Sequence, residues 1–251
     1  MDLAERLADA GFVAAEEEAA ELLACAGDDR ELLDALVARR LTGEPLAWLT
    51  GSVEFCGLQV RVDPGVYVPR WQSEQLARRA AERLPAHGAA VDLCTGCGAV
   101  ARVLMEARPG ARVVGCDIDE RAAACARSNG VEALAGDLFA PLPAELAGAV
   151  DVVVGVVPYV PTGELALLHR DTLAFESTLS YDGGDDGLAF LRRAVTESPR
   201  WLRRGGALLL ELGGDEASAL REDLERAGFV EVRDLVDEDG DVRGVEATLG
   251  V

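Results

Sequence analysis

The sequence predicts an α/β fold: a mostly parallel sheet, closed by an antiparallel terminal hairpin and preceded by a small helical unit. Three observations carry that reading. From Ala89 onward, short apolar runs alternate with helical patterns, the rhythm of a parallel sheet. The first run ends in a Gly-x-Gly turn and the second in an acid, which together make half of a nucleotide-binding βαβ unit. The last two runs, 229–235 and 242–249, meet across the acidic turn Asp237-Glu238-Asp239-Gly240. Such a pair suits an antiparallel edge on an otherwise parallel, Rossmann-like sheet.

Residues 1–41 read as helices. Leu3 and Leu7 mark one apolar face, and Leu32, Leu33, Leu36, Val37 and Leu41 recur at helical spacing. Gly27 interrupts the pattern, and Asp28 with Glu31 forms a capping-box signature for the next helix. The acidic run Glu16-Glu17-Glu18 reads as a solvated face. Gly43-Glu44-Pro45 stops the helix. Ser52-Val53-Glu54-Phe55 and Leu58-Gln59-Val60-Arg61-Val62 alternate across Cys56-Gly57, as a small hairpin does. Val66-Tyr67-Val68-Pro69-Arg70 then leads, extended, into a helix capped near Ser73 that turns Leu76, Ala80 and Leu84 inward. The expected division is a helical unit with its hairpin over 1–66 and a larger α/β domain over 67–251.

In that domain strands are predicted at 89–93, 112–116, 131–135, 150–154 and 206–211, with a helix at 215–227 before the terminal pair. The stretch Val91-Asp92-Leu93-Cys94-Thr95-Gly96-Cys97-Gly98 turns the first strand into a helix beginning near Ala99. Glycine is needed there because the backbone turns tightly and admits a ligand where a Cβ would collide. Asp117, at the end of the second strand, follows Gly98 at roughly 20 residues, the distance at which a carboxylate takes a ribose diol. An adenosine-bearing ligand is implied. Gly96-Cys97-Gly98-Ala99-Val100-Ala101 also fits the dinucleotide fingerprint, so S-adenosylmethionine and NAD both stand at this level. The terminal hairpin points away from NAD, whose domains continue as a second βαβαβ half.

Acidic side chains number 45 against 24 basic ones, a net charge of −21, and every fixed cation is arginine. Such a surface repels phosphate, which argues against nucleic-acid partners and anionic membranes. The cysteines at 25, 56, 94, 97, 116 and 125 lie mostly in apolar runs and read as reduced core thiols of a cytoplasmic protein. Cys94-Thr95-Gly96-Cys97 spells C-x-x-C, but a metal needs two more ligands and the histidines are His87 and His169, so none is expected. Asp2, Glu5, Arg6 and Asp9 do not suit a signal peptide, and no apolar run reaches membrane-spanning length.

The fourth strand opens into Gly155-Val156-Val157-Pro158-Tyr159-Val160-Pro161, whose position at the strand's carboxyl end faces it toward the same crevice as the glycine turn. With that segment in place, the chain resembles the HemK-type protein-glutamine N5-methyltransferases over nearly its whole length. The similarity runs through Leu41-Thr42-Gly43-Glu44-Pro45-Leu46-Ala47-Trp48-Leu49-Thr50-Gly51, Val53-Glu54-Phe55-Cys56-Gly57-Leu58 and Val66-Tyr67-Val68-Pro69-Arg70. It continues in Asp92-Leu93-Cys94-Thr95-Gly96-Cys97-Gly98, Asp117-Ile118-Asp119, Gly136-Asp137-Leu138-Phe139 and Leu179-Ser180-Tyr181-Asp182-Gly183-Gly184-Asp185-Asp186-Gly187-Leu188. The resemblance implies a class I S-adenosylmethionine-dependent methyltransferase sheet. It assigns donor binding to Asp92, Cys94, Thr95, Gly96, Gly98, Asp117, Ile118, Asp137 and Leu138, and the acceptor site to Val156, Val157, Pro158 and Tyr159.

Two departures stand out. Trp71-Gln72-Ser73-Glu74 occupies the place where the family usually has Pro-Glu-Thr-Glu, and Val156-Val157-Pro158-Tyr159 replaces Asn-Pro-Pro-Tyr. The resemblance implies that the Asn side-chain oxygen and a backbone carbonyl accept the two N–H bonds of the substrate amide. Val156 has no acceptor, whereas Val157 keeps its carbonyl. An unpartnered buried N–H costs about 1–3 kcal/mol, hence on the order of 10- to 100-fold in rate. Two partners therefore remain open, a release-factor-like protein or a small-molecule O-, S- or N-acceptor. A module that binds S-adenosylmethionine without turnover is a third reading. His169 and Glu176, in the loop beyond Pro161, are candidate bases whose alternative is plain solvation. Arg70 is a candidate carboxylate partner whose alternative is a surface ion pair. No feature of the sequence specifies an oligomeric state.

Overall fold

The computed structural model describes residues 2–168 and 174–251; His169 lies outside them. Helices α1 (Leu3–Asp9), α2 (Ala15–Ala26), α3 (Arg30–Arg40) and α4 (Leu46–Thr50) form the N-terminal unit, closed around Leu7, Leu22, Leu36, Val37 and Leu49. Asp2 and Glu5 cap α1 reciprocally, satisfying two otherwise open amides. The cap of α3 is Asp29, accepting from the Leu32 N–H at 3.0 Å, and not Asp28. Since α3 starts at Arg30, its third amide belongs to Leu32, and Asp29 is the residue adjacent to that first turn. Glu18 also departs from the solvated reading: Arg40 binds it through two hydrogen bonds of 2.6 and 2.9 Å.

Strands β1 (Ser52–Phe55) and β2 (Leu58–Arg61) pair antiparallel as a small hairpin. Phe55, Val60 and Val62 are buried in the same cluster as residues of α5 (Glu74–Arg83) and α6 (Ala99–Ala107). The Trp48 indole donates to the Val66 carbonyl at 2.9 Å and ties α4 to the extended lead-in. At the start of α5, Ser73 does not cap. A 3-10 turn, Trp71–Ser73, runs straight into the helix, so the Ser73 backbone is already helical and its hydroxyl makes no cap bond.

The larger sheet holds β3 (Ala89–Leu93), β4 (Arg112–Asp117), β5 (Glu132–Ala135), β6 (Val150–Gly155), β7 (Leu202–Glu211), β8 (Phe229–Val236) and β9 (Val242–Leu249). Their order is β5-β4-β3-β6-β7-β9-β8; β9 runs antiparallel to both neighbours and the remaining pairs are parallel. β7 begins four residues earlier than predicted, because Arg203-Arg204-Gly205-Gly206 carries no apolar signal. Helices α5, α6 and α7 (Glu120–Ser128) cover one face; α8 (Ala189–Glu197) and α9 (Gly214–Arg226) cover the other. Consecutive strand residues fall in opposite clusters: Val152, Val154 and Leu209 on the first face, Val153, Leu208 and Leu210 on the second. Burial on both faces explains why these strands read as unbroken apolar runs. From β3 the chain moves outward through β4 and β5, then returns to the other side of β3 with β6. At that reversal the carboxyl ends diverge and leave a crevice.

Candidate active site

The crevice has a volume of about 250 Å³. One wall comes from the turns after β3, β4 and β5, with Cys94, Gly96, Asp117, Ile118, Asp137 and Leu138; the other is the run Val156–Val160 after β6. Gly96 and Gly98 have φ of +56° and +84°, a region where only glycine is unstrained. Their tasks differ. Among the described residues a Cβ on Gly96 would meet nothing within 4 Å, so this glycine serves the turn. One on Gly98 would come within 2.9 Å of Val131 and 3.1 Å of Ala126, so that glycine lets α6 pack.

Asp117 closes β4 at the crevice. Its Oδ2 accepts from the Gly96 N–H and its Oδ1 from the Asp119 N–H, both at 2.9 Å. Each oxygen keeps a further accepting site. Burial raises the carboxyl's pKa, and the two amides pull it back down. Ile118 is 62% exposed although large and apolar, and it lines the crevice as a bare shelf. Leu138 and Cys94 hold left-handed φ of +46° and +54° on the same wall, a concentration of strain typical of ligand sites. Asp137 sits at the rim, bound to Arg193 at 2.9 Å.

Asp92 and Thr95 stand behind the glycine turn and border a smaller cavity there. The Asp92 carboxylate accepts from the Thr95 hydroxyl at 2.6 Å and the Ala101 N–H at 3.2 Å, bracing the turn against α6. The Thr95 N–H donates to the Cys116 carbonyl and fastens the turn to β4.

On the acceptor side Val156 packs toward the α5 face, while Val157 is buried toward the α8 face. The glycine-rich loop clasps this segment: the Val160 N–H donates to the Tyr181 carbonyl at 2.9 Å, and the Gly183 N–H to the Val160 carbonyl at 2.8 Å. A Cβ on Gly183 would stand 2.6 Å from the Gly187 carbonyl and 2.7 Å from Tyr159 Cα, and one on Gly187 would strike the Tyr159 carbonyl. These glycines are spacers that let one backbone lie on another. Tyr159 itself is half-buried, and burial holds its phenol protonated.

Glu176 is not a solvated loop acid. At 4% exposure it accepts from the Val68 N–H at 2.9 Å, from Arg70 and from the Tyr181 hydroxyl. Three donors converging on one buried carboxylate make it a structural fastening. Arg70 is accordingly engaged by Glu176, and Tyr67 packs edge-on against Tyr181 with ring centroids 5.6 Å apart.

No family model matches the chain. The release factor glutamine methyltransferase of Geobacter sulfurreducens is 36% identical over 236 residues, spanning 92% of this chain and 79% of that protein. This chain belongs to the release factor glutamine methyltransferase (HemK) family. The counterpart in Mycolicibacterium smegmatis is 40% identical over 220 residues, spanning 85% of this chain and 78% of its own. A methyltransferase structure from Pyrococcus furiosus, 18% identical and covered over 98% of its length, shares the fold with a TM-score of 0.55 over 85% of this chain. The chain is thus an S-adenosylmethionine-dependent methyltransferase, and the NAD reading falls away. The donor wall fits that ligand: a left-handed glycine turn, a buried acid with accepting capacity, and an exposed isoleucine that offers an apolar shelf. Among the described residues no helix is long and apolar enough to cross a membrane.

For this HemK-family chain, sequence reasoning passed over Glu211. It interrupts Leu208-Leu209-Leu210-Glu211-Leu212, and a lone acid at the carboxyl end of an apolar strand was the available signal. Asp92 gives a stability prediction. Burial pushes its carboxyl up to about 7, against Thr95 and Ala101, which lower it. An acid raised in the folded state favours folding fully below its unfolded pKa of about 3.9, and that contribution is lost as pH rises toward 7. Asp92→Asn stays neutral throughout. Thermal unfolding should therefore show the variant gaining on the parent between pH 4 and pH 8, by on the order of a few kcal/mol. A difference that does not change with pH would refute the assignment.

Proposed function

We propose that this methyltransferase acts on the side-chain amide nitrogen of a glutamine in a protein of the release-factor kind. The observation that carries the reading is the sharing of one crevice by Asp117 on the donor wall and Val156-Val157-Pro158-Tyr159 on the other. The names and 36–40% identities of the curated relatives support it. When bound, S-adenosylmethionine supplies a methyl already activated on sulfur, so positioning dominates the rate. Asp117 holds the ribose hydroxyls, and the Gly96 turn gives the backbone room at the donor. Ile118 and Leu138 flank the adenine. The Val157 carbonyl accepts one amide N–H, Tyr159 walls the amide, and the apolar lining excludes water from the line of attack. The bound donor would supply the methyl and leave as a thioether, and the amide nitrogen would give up one N–H proton in exchange. The helical unit over 1–66 grips the protein partner.

A second reading, a small-molecule O-, S- or N-methyltransferase, is favoured by the missing amide acceptor at Val156. Tritium-methyl transfer separates the two. The full chain with labelled S-adenosylmethionine should label a glutamine-bearing release-factor peptide. Label confined to the small-molecule fraction of a lysate, with the peptide unlabelled, would reject the release-factor reading.

A further inference from the structure

We propose that the Glu211 carboxylate accepts the second N–H of the substrate's primary amide, the position that Val156 leaves without an acceptor; this rests on the amide-methylation reading above. The sheet register carries the assignment. In the parallel pairing of β6 with β7, Val154 stands beside Leu209 and Gly155 beside Leu210. Continued one step past the end of β6, that register puts Val156 beside Glu211, and both residues line the same crevice. Val154 and Leu209 share the α5 face, and so does Val156, so the alternation along β7 turns Glu211 to that face as well. Neighbouring strands lie about 4.8 Å apart, within the reach of a glutamate side chain. An acceptor missing from β6 is thereby available from the adjoining strand.

Two further observations make Glu211 a ligand-binding group rather than an ordinary core acid. It is 8% exposed and lines the crevice together with Val156 and Tyr159. Its Oε2 is buried without a hydrogen-bond partner among the described residues, as is the neighbouring Ser73 Oγ. Burial raises the carboxyl's pKa; Ser73 and Tyr159 pull the other way, yet neither completes a bond to Oε2. Native proteins rarely leave such an oxygen idle. A primary amide satisfies it, with one N–H to Glu211 and the other to the Val157 carbonyl. A hydroxyl or thiol acceptor offers one donor and cannot fill both. The singly methylated product keeps only one N–H, so it binds less well and is not methylated again.

The test uses the parent chain with Glu211→Leu, Glu211→Gln and the double variant Glu211→Leu/Val156→Asn. Calorimetry with S-adenosylhomocysteine reports the donor side. Tritium-methyl transfer to the release-factor peptide, and peptide affinity for the S-adenosylhomocysteine-loaded protein, report the acceptor side. Glu211→Leu should lower kcat/KM for the peptide by on the order of 10- to 100-fold and weaken peptide binding. Its donor affinity should stay within about twofold and its melting temperature should not fall, because an apolar isostere removes an unpaired buried polar group. Glu211→Gln, which keeps an accepting oxygen, should recover most of the loss. Combined with Glu211→Leu, Val156→Asn returns an accepting oxygen from the β6 side and should recover much of the activity that Glu211→Leu loses. A Glu211→Leu protein as active as the parent, or no recovery in either Glu211→Gln or the Glu211→Leu/Val156→Asn double variant, overturns the assignment while amide methylation stands. A parent that binds S-adenosylhomocysteine but leaves the peptide unlabelled overturns both.

Discussion

Asp117→Ala is expected to weaken S-adenosylhomocysteine binding by on the order of 100-fold or more, read by calorimetry. The carboxylate is to accept two ribose hydroxyls, and hydrogen bonds to a charged group contribute about 1.5–3 kcal/mol each. The same substitution strips an acceptor from the Gly96 and Asp119 amides, which now close on Asp117 at 2.9 Å. The glycine turn loses its brace at the moment it loses its ligand contact. Asp117→Asn keeps one accepting oxygen and should fall between the two. Because burial raises the Asp117 pKa, acidification should weaken donor binding sooner than for an ordinary aspartate, and the alanine variant should lack that slope. Undiminished donor affinity in Asp117→Ala would remove this residue from the site.

Gly187→Ala is expected to lower kcat for the peptide by about 100-fold while leaving S-adenosylhomocysteine affinity within about threefold. At φ +74° an alanine is strained by about 1–2 kcal/mol, and its methyl would strike the Tyr159 carbonyl. Overpacking of that kind adds about 1–3 kcal/mol. Since the atoms nearest that methyl belong to Tyr159 and Pro161, on the acceptor side, the segment yields and misaims the amide; a small misplacement is enough to cost about 100-fold. The melting temperature should fall by several degrees as well. Gly163→Ala, with no positive φ and no described residue within 4 Å of its Cβ, is the matched control and should be silent. If both variants turn over like the parent, the clasp of the glycine-rich loop has no part in aiming the acceptor.

The architecture was legible where periodicity and burial act together. Strands buried on two faces write unbroken apolar runs, so β3, β4 and β6 fall close to their predicted positions. The start of β7 escaped because arginine and glycine there leave no pattern to read. Asp117 and the glycine turn were legible because spacing along the chain sets them. Glu176 was not, because its burial depends on Val68, Arg70 and Tyr181, and the first two lie more than 100 residues away in sequence. Glu211 was hidden for a related reason. Its meaning comes from standing beside Val156 across two strands, a neighbour relation that no window of sequence contains. Single caps also slipped: Asp28 and Ser73 have the right chemistry, but one residue of offset and a 3-10 turn moved the open amides elsewhere.

The knot at Glu176 has a consequence for reach. It fastens the segment just ahead of α5 to the loop beyond β6, and the four N-terminal helices hang from that same segment through Trp48 and Val66. Prising the two apart would take both Val68 and Arg70 from the Glu176 carboxylate, so the fastening resists being worked loose. The helices are therefore held at a set distance from the mouth of the cleft, as if measured against a rigid gauge.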